Sequence, residues 1–122
     1  MMSSVAGVAA SPKMGAYNAS KFALEALAVS LRAEVASSGV SVVVVRPGPV
    51  DTPFRENSVT RGTEPGVRPP GARAQTAEEI ADYTLRAIDR RAPVVETSAF
   101  VRVASFGARV LPPIFRAALR RM

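Results

Sequence analysis

From Tyr17 to about Ser38 the chain holds no Gly or Pro, is rich in Ala and Leu, and repeats apolar residues at three- and four-residue intervals. That periodicity predicts one helix of about five to six turns, ended by Gly39. Two apolar stripes run along it, one through Leu24, Leu27, Leu31 and Val35, the other through Phe22, Ala26, Val29 and Ala33. A helix apolar on two faces needs two partners: the chain's own sheet for one, and a neighbouring helix or a second subunit for the other. The pattern then changes abruptly. Val40-Ser41-Val42-Val43-Val44-Val45 is a β-branched run without alternation, stopped by Arg46-Pro47-Gly48-Pro49. It predicts a strand over residues 40–45 buried on both faces, as in a parallel sheet covered by helices. Helix followed at once by buried strand is half of a βαβ unit, so the fold class is α/β.

Residues 47–75 lose all periodicity and hold ten Pro and Gly residues. A segment of this length without regular structure inside a compact domain is a functional loop or a disordered one, and its middle is expected to act as a flexible lid. Thr76-Ala77-Glu78-Glu79 is a capping box. The helix it opens runs to about Arg90 with Ile80, Thr84, Ala87 and Ile88 on one face, and its arginine-rich end suits the negative pole of the dipole. Residues 93–96 predict a short strand. Ser98 is expected to cap a further helix through Phe100, Val103 and Ala104, interrupted near Gly107 and by Pro112-Pro113, with a last short helix over residues 114–120.

Composition narrows the chemistry more than the fold. The 122 residues are enough for one domain, and 48% apolar with 21% charged residues is the balance of a globular protein. With no Cys and no His, disulfides, thiolate zinc sites and the usual imidazole base are excluded, which leaves acid/base work to Tyr, Lys, Asp or Glu. Met1-Met2-Ser3-Ser4 does not read as a signal peptide, and no apolar run reaches the about 18 residues of a membrane span, so the expected location is cytoplasmic. The net charge of +6 comes mostly from the far end, where Arg102, Arg109, Arg116, Arg120 and Arg121 face no acidic residue after Glu96. These arginines are spaced out and carry no recognition motif, so no nucleic-acid partner is expected. Set beside Phe106, Leu111, Ile114 and Phe115 they could lie on an acidic membrane surface; the two prolines and the position favour a substrate-covering helix pair with a solvated basic face.

Three short segments offer chemistry. Tyr17 and Lys21 are four apart at the start of the long helix and share a face, and an ammonium held near a phenol favours the phenolate. Ser4 lies thirteen residues before Tyr17, where a strand would end and a loop begin. A hydroxyl there could hydrogen-bond a substrate oxygen and steady the charge that develops on it. Pro47-Gly48-Pro49-Val50-Asp51-Thr52 follows the buried strand at the carboxyl edge of the sheet, where open α/β folds bind ligands. Gly48 would let a flat ring approach the backbone, and Thr52 offers a hydroxyl to an amide. Each segment alone has a plain structural reading: a surface pair, a turn, an ordinary loop after a strand.

Together, Ser4, then Tyr17-Asn18-Ala19-Ser20-Lys21, then Pro47-Gly48-x-Val50-x-Thr52 resemble, in order and spacing, the second half of the short-chain dehydrogenase/reductase family. The resemblance covers residues 1–54 with specific motifs and the capped helix at 76–90 more loosely. It implies the C-terminal part of a Rossmann-like doubly wound parallel sheet, a partial domain over 1–122 with a substrate loop at 47–75 and a C-terminal helical cap at 98–122. By the same resemblance Tyr17 would be the acid/base, Lys21 would favour its phenolate and hold the nicotinamide ribose, and Ser4 would polarise the substrate carbonyl. Pro47, Gly48, Val50 and Thr52 would line the nicotinamide pocket. The implied function is an NAD(P)-dependent oxidoreductase interconverting an alcohol and a carbonyl, with NADP preferred to NAD, a small-molecule substrate, and pairing of subunits through helix 17–38 if the domain is complete.

The family's first half carries a glycine-rich turn, an Asn-Ala-Gly segment, a catalytic Asn and the residue that selects between NAD and NADP; none is found here. The expectation is therefore a truncated chain without its cofactor-binding half, inactive alone and weak toward NADP(H). Two alternatives stand beside it: an extended-branch epimerase or dehydratase, which also uses Tyr-x-x-x-Lys, and a non-catalytic remnant that dimerises with a full-length relative.

Overall fold

A computed structural model describes residues 1–54, 57, 72–113 and 117. Helix α1 (Gly15–Glu34) carries no side-chain cap at Met14, and the buried Asn18 instead ties the approach to the helix by donating from Nδ2 to the Ser11 carbonyl at 2.8 Å. The helix ends four residues before the expected 38. Beyond Glu34 the chain passes through turns, in which the Ser38 Oγ and N–H both donate to the Val35 carbonyl and Gly39 takes φ +73°. Serine hydroxyls compete with the helix for backbone partners, and Gly accepts the left-handed conformation that follows.

Strands β1 (Val44–Arg46) and β2 (Val94–Glu96) pair in parallel, with Val44 opposite Val94 and Arg46 opposite Glu96. On the other side of β1, Met2 bridges Val45 in parallel: Ser3 N–H donates to the Val45 carbonyl at 2.8 Å and Val45 N–H to the Met1 carbonyl at 3.0 Å. β1 is thus central among three parallel segments. It is shorter than the expected 40–45, because regular pairing starts only where neighbours lie alongside; Val40 and Ser41 are exposed, whereas Val44 and Val45 are 1% and 2% exposed.

Helix α2 (Ala77–Asp89) begins with the expected capping box: the Glu79 N–H donates to Thr76 Oγ1 and the Thr76 N–H to Glu79 Oε2. It buries Ile80 and Ala87, but Ile88, expected on that face, is exposed. Ser98 caps helix α3 (Ala99–Val110), its Oγ accepting from the Val101 N–H. α3 runs straight through Gly107, contrary to the expected interruption, and stops before Pro112-Pro113. A single glycine costs a helix only about 1 kcal/mol, less than burial of Val101 on its inner side can offset. The middle of the 47–75 loop and nearly all of the expected helix at 114–120 lie outside the described residues.

The core is small: Ala28 of α1 against Val42 and Val44, with Leu31, Val35 and Val94 around them. Leu31 and Val35 of the first stripe face the sheet as expected. Leu27 does not, and is exposed with Phe22 and Val29, so the second side of α1 meets nothing among the described residues.

Candidate active site

Ser4 is the last extended residue of the N-terminal segment, at φ −167° and ψ 164°, and its Oγ accepts from the Ala6 N–H at 3.2 Å to cap a single 3-10 turn, Val5–Gly7. This bond uses an acceptor lone pair and leaves the hydroxyl proton able to donate. The turn seats on α1. A Cβ at Gly7 would lie 2.7 Å from Ser3 Oγ, 3.0 Å from the Lys21 carbonyl oxygen and 3.1 Å from Glu25 Cγ, so only a glycine allows this approach. The helical turn it touches is the one that carries Lys21.

Tyr17 and Lys21 share a face, as their spacing predicts. The Lys21 Nζ lies 5.6 Å from the Tyr17 ring centroid and donates to the Met2 carbonyl at 3.0 Å. Tyr17 is half-buried, its ring 5.5 Å from that of Phe54 at an interplanar angle of 53°. Among the described residues no hydrogen bond joins Ser4 to Tyr17; they are related through the turn packed on α1.

The segment after β1 is bound to the same assembly. Pro47 accepts from the Val5 N–H at 2.9 Å, so the Ser4 turn and the Pro47–Gly48 turn are neighbours at the carboxyl edge of the sheet. Val50 bridges Gln75 in parallel, which brings the two ends of the long loop together. Gln75 is buried and exchanges hydrogen bonds with Thr97: its Nε2 donates to the Thr97 carbonyl at 2.9 Å, and the Thr97 hydroxyl donates to its Oε1. Thr52 is exposed. On the side where a side chain would stand, Gly48 faces α3: a Cβ there would lie 3.1 Å from Val101 Cγ2.

Sequence reading missed the charged cluster beneath these segments. Arg46, whose side chain is 5% exposed, grips Glu25 through two bonds, Nε to Oε1 at 2.9 Å and Nη2 to Oε2 at 2.8 Å, and reaches Glu96 Oε1 from Nη1 at 3.2 Å. Burial works to raise the Glu25 carboxyl's pKa. The Arg46 hydrogen bonds and the charges of Arg46 and Arg109 outweigh it and hold Glu25 below the usual carboxylate range. The bond to Glu25, with help from Glu96, pushes Arg46 up. One signal was available: an arginine closing a fully buried apolar run requires carboxylates nearby.

A shallow depression against α3, lined by Glu96, Arg102, Ser105, Phe106 and Arg109 among others, contains none of Ser4, Tyr17, Lys21 or the 47–52 segment and is no part of this constellation. Among the described residues no group of three or more His, Cys, Asp or Glu is placed to hold a metal ion, and no helix is long and apolar enough to cross a membrane.

The profile described as short chain dehydrogenase matches residues 1–62. The chain belongs to the short chain dehydrogenase family. Among curated short chain dehydrogenases and oxidoreductases it is 43% identical over 75 residues to the uncharacterized oxidoreductase YbbO of Escherichia coli (strain K12), covering 62% of this chain and 28% of that one. It is 36% identical over 115 residues to dehydrogenase/reductase SDR family member 7B of Xenopus tropicalis, covering 93% and 37%. A solved short chain dehydrogenase from Burkholderia cenocepacia J2315, in complex with NADP, superposes with a TM-score of 0.78 at 26% identity over 97% of this chain and 46% of that one. The Rossmann-type α/β arrangement of the family is therefore the fold here, and the chain spans roughly a third of the length of these two curated relatives.

Proposed function

We propose that these residues form the proton-transfer part of a nicotinamide-dependent oxidoreductase that interconverts an alcohol and a carbonyl. The observation that carries the reading is the Lys21 ammonium beside the Tyr17 ring, on the helix against which the Ser4 turn is packed. The donors present fit a nicotinamide cofactor. Lys21 spends one of its three N–H groups on the Met2 carbonyl, the Ser4 proton is uncommitted among the described residues, and the Thr52 hydroxyl is exposed near the same sheet edge. A bound nicotinamide supplies or takes the hydride at the carbonyl carbon. Tyr17 gives the proton to the substrate oxygen from its Oη in reduction and takes it back in oxidation. Ser4 donates to the same oxygen and steadies its developing charge. Lys21 holds the ribose and keeps a positive charge beside the phenol, and Pro47, Gly48, Val50 and Thr52 border the nicotinamide.

NADP is preferred to NAD, on the ground that the solved relative was crystallised with NADP. The substrate is a small alcohol or carbonyl compound covered by the 47–75 loop and the C-terminal helices, in a protein working in the cytoplasm. The uncovered apolar side of α1 supports pairing with a second subunit.

Because the matched relatives are much longer, the isolated 122-residue chain is expected to show no turnover and weak binding of NADP(H). Spectrophotometry at the NADPH absorbance with a panel of aldehydes and ketones checks this, and robust turnover by the purified chain would overturn it. The roles are tested in a chimera that joins the N-terminal part of YbbO to this chain: Tyr17→Phe should lower kcat by about a hundredfold or more while melting stays unchanged. A Tyr17→Phe chimera that keeps its turnover sinks the reading.

A further inference from the structure

We infer that the buried cluster Glu25–Arg46–Glu96 is a positioning device for the proton-transfer residues, holding the register between α1 and the two segments it must meet. Glu25 lies one helical turn beyond Lys21 on α1. Its Cγ is one of the three atoms that a Cβ on Gly7 would strike, so it also underlies the turn that Ser4 caps. Arg46 is the last residue of β1 and passes directly into Pro47-Gly48, and Glu96 is the last residue of β2, in register with Arg46. One guanidinium therefore fastens the Tyr17/Lys21 helix, the Ser4 turn, the Pro47–Gly48 turn and the strand leading to α3.

The fork geometry makes the fastening directional. Two parallel bonds from Arg46 to both oxygens of Glu25 fix rotation as well as distance, which one apolar contact cannot do. A buried ion cluster of this kind adds little net stability over an apolar replacement of the same volume, because desolvation opposes the attraction; what it provides is one arrangement in preference to others. The apolar core beside it is small and aliphatic, and sliding of α1 by a fraction of a turn would change its contacts little. The same slide would pull Glu25 off Arg46 and carry Lys21 away from the Met2 carbonyl.

The inference takes its functional meaning from the oxidoreductase reading, but its readout does not need turnover. Lys13 and Lys21 are the only lysines, and Lys13 is exposed. Brief acetylation of the folded chain, followed by mass spectrometry, gives the Lys21-to-Lys13 modification ratio with an internal reference. Glu25→Gln and Arg46→Met should raise that ratio by about threefold or more below the melting transition, and Glu96→Gln, which takes the charge only from the longer bond, by less. Should either of the first two fail to fold, Arg46→Lys keeps the charge and removes the fork, and is expected to raise the ratio as well.

Variants that melt earlier yet leave the ratio at its wild-type value would make the cluster a plain structural bond and overturn the inference. The oxidoreductase reading is judged separately by Tyr17→Phe. Turnover surviving that change with a raised Lys21 ratio would refute the activity and leave the positioning intact; a flat ratio with turnover lost would do the reverse.

Discussion

Replacing Gly7 by Ala tests whether the Ser4 turn is seated on α1 as closely as described. The added methyl meets three atoms, and they differ in how readily they give way. Ser3 Oγ at 2.7 Å can rotate aside, although Ser3 is buried. The Lys21 carbonyl oxygen at 3.0 Å is helix backbone and cannot move without α1, and Glu25 Cγ at 3.1 Å belongs to a side chain clamped by Arg46. Forcing a methyl into such a space costs about 1–3 kcal/mol, and the smaller backbone entropy of unfolded Ala returns about 0.4–1 kcal/mol. A net loss of about 1–2 kcal/mol follows, a fall in Tm of roughly 5 °C for a domain of this size. Gly48→Ala is the internal comparison. It has one tight neighbour, the Val101 Cγ2 methyl at 3.1 Å, and the next at 3.7 Å, so it should cost less than about 1 kcal/mol. Urea and thermal denaturation followed by circular dichroism measure both. A Gly7→Ala variant as stable as wild type, or Gly48→Ala the worse of the two, would refute the close seating.

Thr76→Ala removes the hydroxyl that accepts from the Glu79 N–H, leaving the backbone bond from residue 76 to Glu79, and should destabilise the chain by about 1 kcal/mol in the same assay, with Thr76→Ser near wild type. Acid should destabilise the fold through Glu25. Its pKa is depressed in the folded state, so its contribution is full above the unfolded value, about 4.3, and is lost as pH falls through the lower folded value. Glu78 and Glu79, held down by backbone hydrogen bonds at the start of α2, add loss of the same sign. Urea midpoints between about pH 5 and pH 3 should therefore fall, and Glu25→Gln should flatten part of the slope; an unchanged slope in that variant contradicts the assignment.

What was legible in the sequence was what depends on neighbours along the chain. The Tyr17–Lys21 pair, the Thr76 box and the Ser98 cap each need only residues within one helical turn, and each is found where the spacing puts it. Ends of elements were less legible because they are decided elsewhere. The run at 40–45 is uniformly strand-forming, yet the strand is Val44–Arg46 because those residues have partners on β2. Gly48 was open to more than one close neighbour, and no local rule says that the neighbour is Val101, fifty-three residues on. Arg46 was the largest omission. It closes an apolar run, so its partners had to come from a different helix and a different strand, which depends on the rotation of α1 and the register of β1 against β2. The link from Ser4 to the Pro47 segment was available through family resemblance alone; the bond that makes it, Val5 N–H to the Pro47 carbonyl, leaves no trace in residue identity.

Two arginines at the contact between α1 and the sheet divide the task of aligning the helix. At the start of the strands Arg32, on α1, donates to the Val42 carbonyl at 3.1 Å and the Pro93 carbonyl at 2.8 Å, spanning the chain leading into β1 and the chain leading into β2. At the far end Arg46, on β1, returns the contact to Glu25 of α1 and joins Glu96 of β2. α1 is thus joined by a planar, multiply donating group at each end of its contact with the sheet, and the aliphatic patch of Ala28, Val42 and Val44 lies between. Lysine has the charge for either position but not the fork, so it could hold one acceptor well and the second only in alternation. Alignment at two ends restricts tilt as well as slide, and Tyr17, just over a full turn beyond Lys21 toward the helix start, is displaced more than Lys21 by a tilt. Under the proposed function, the precision that proton transfer from the Tyr17 Oη would need therefore rests on polar contacts that never touch the phenol.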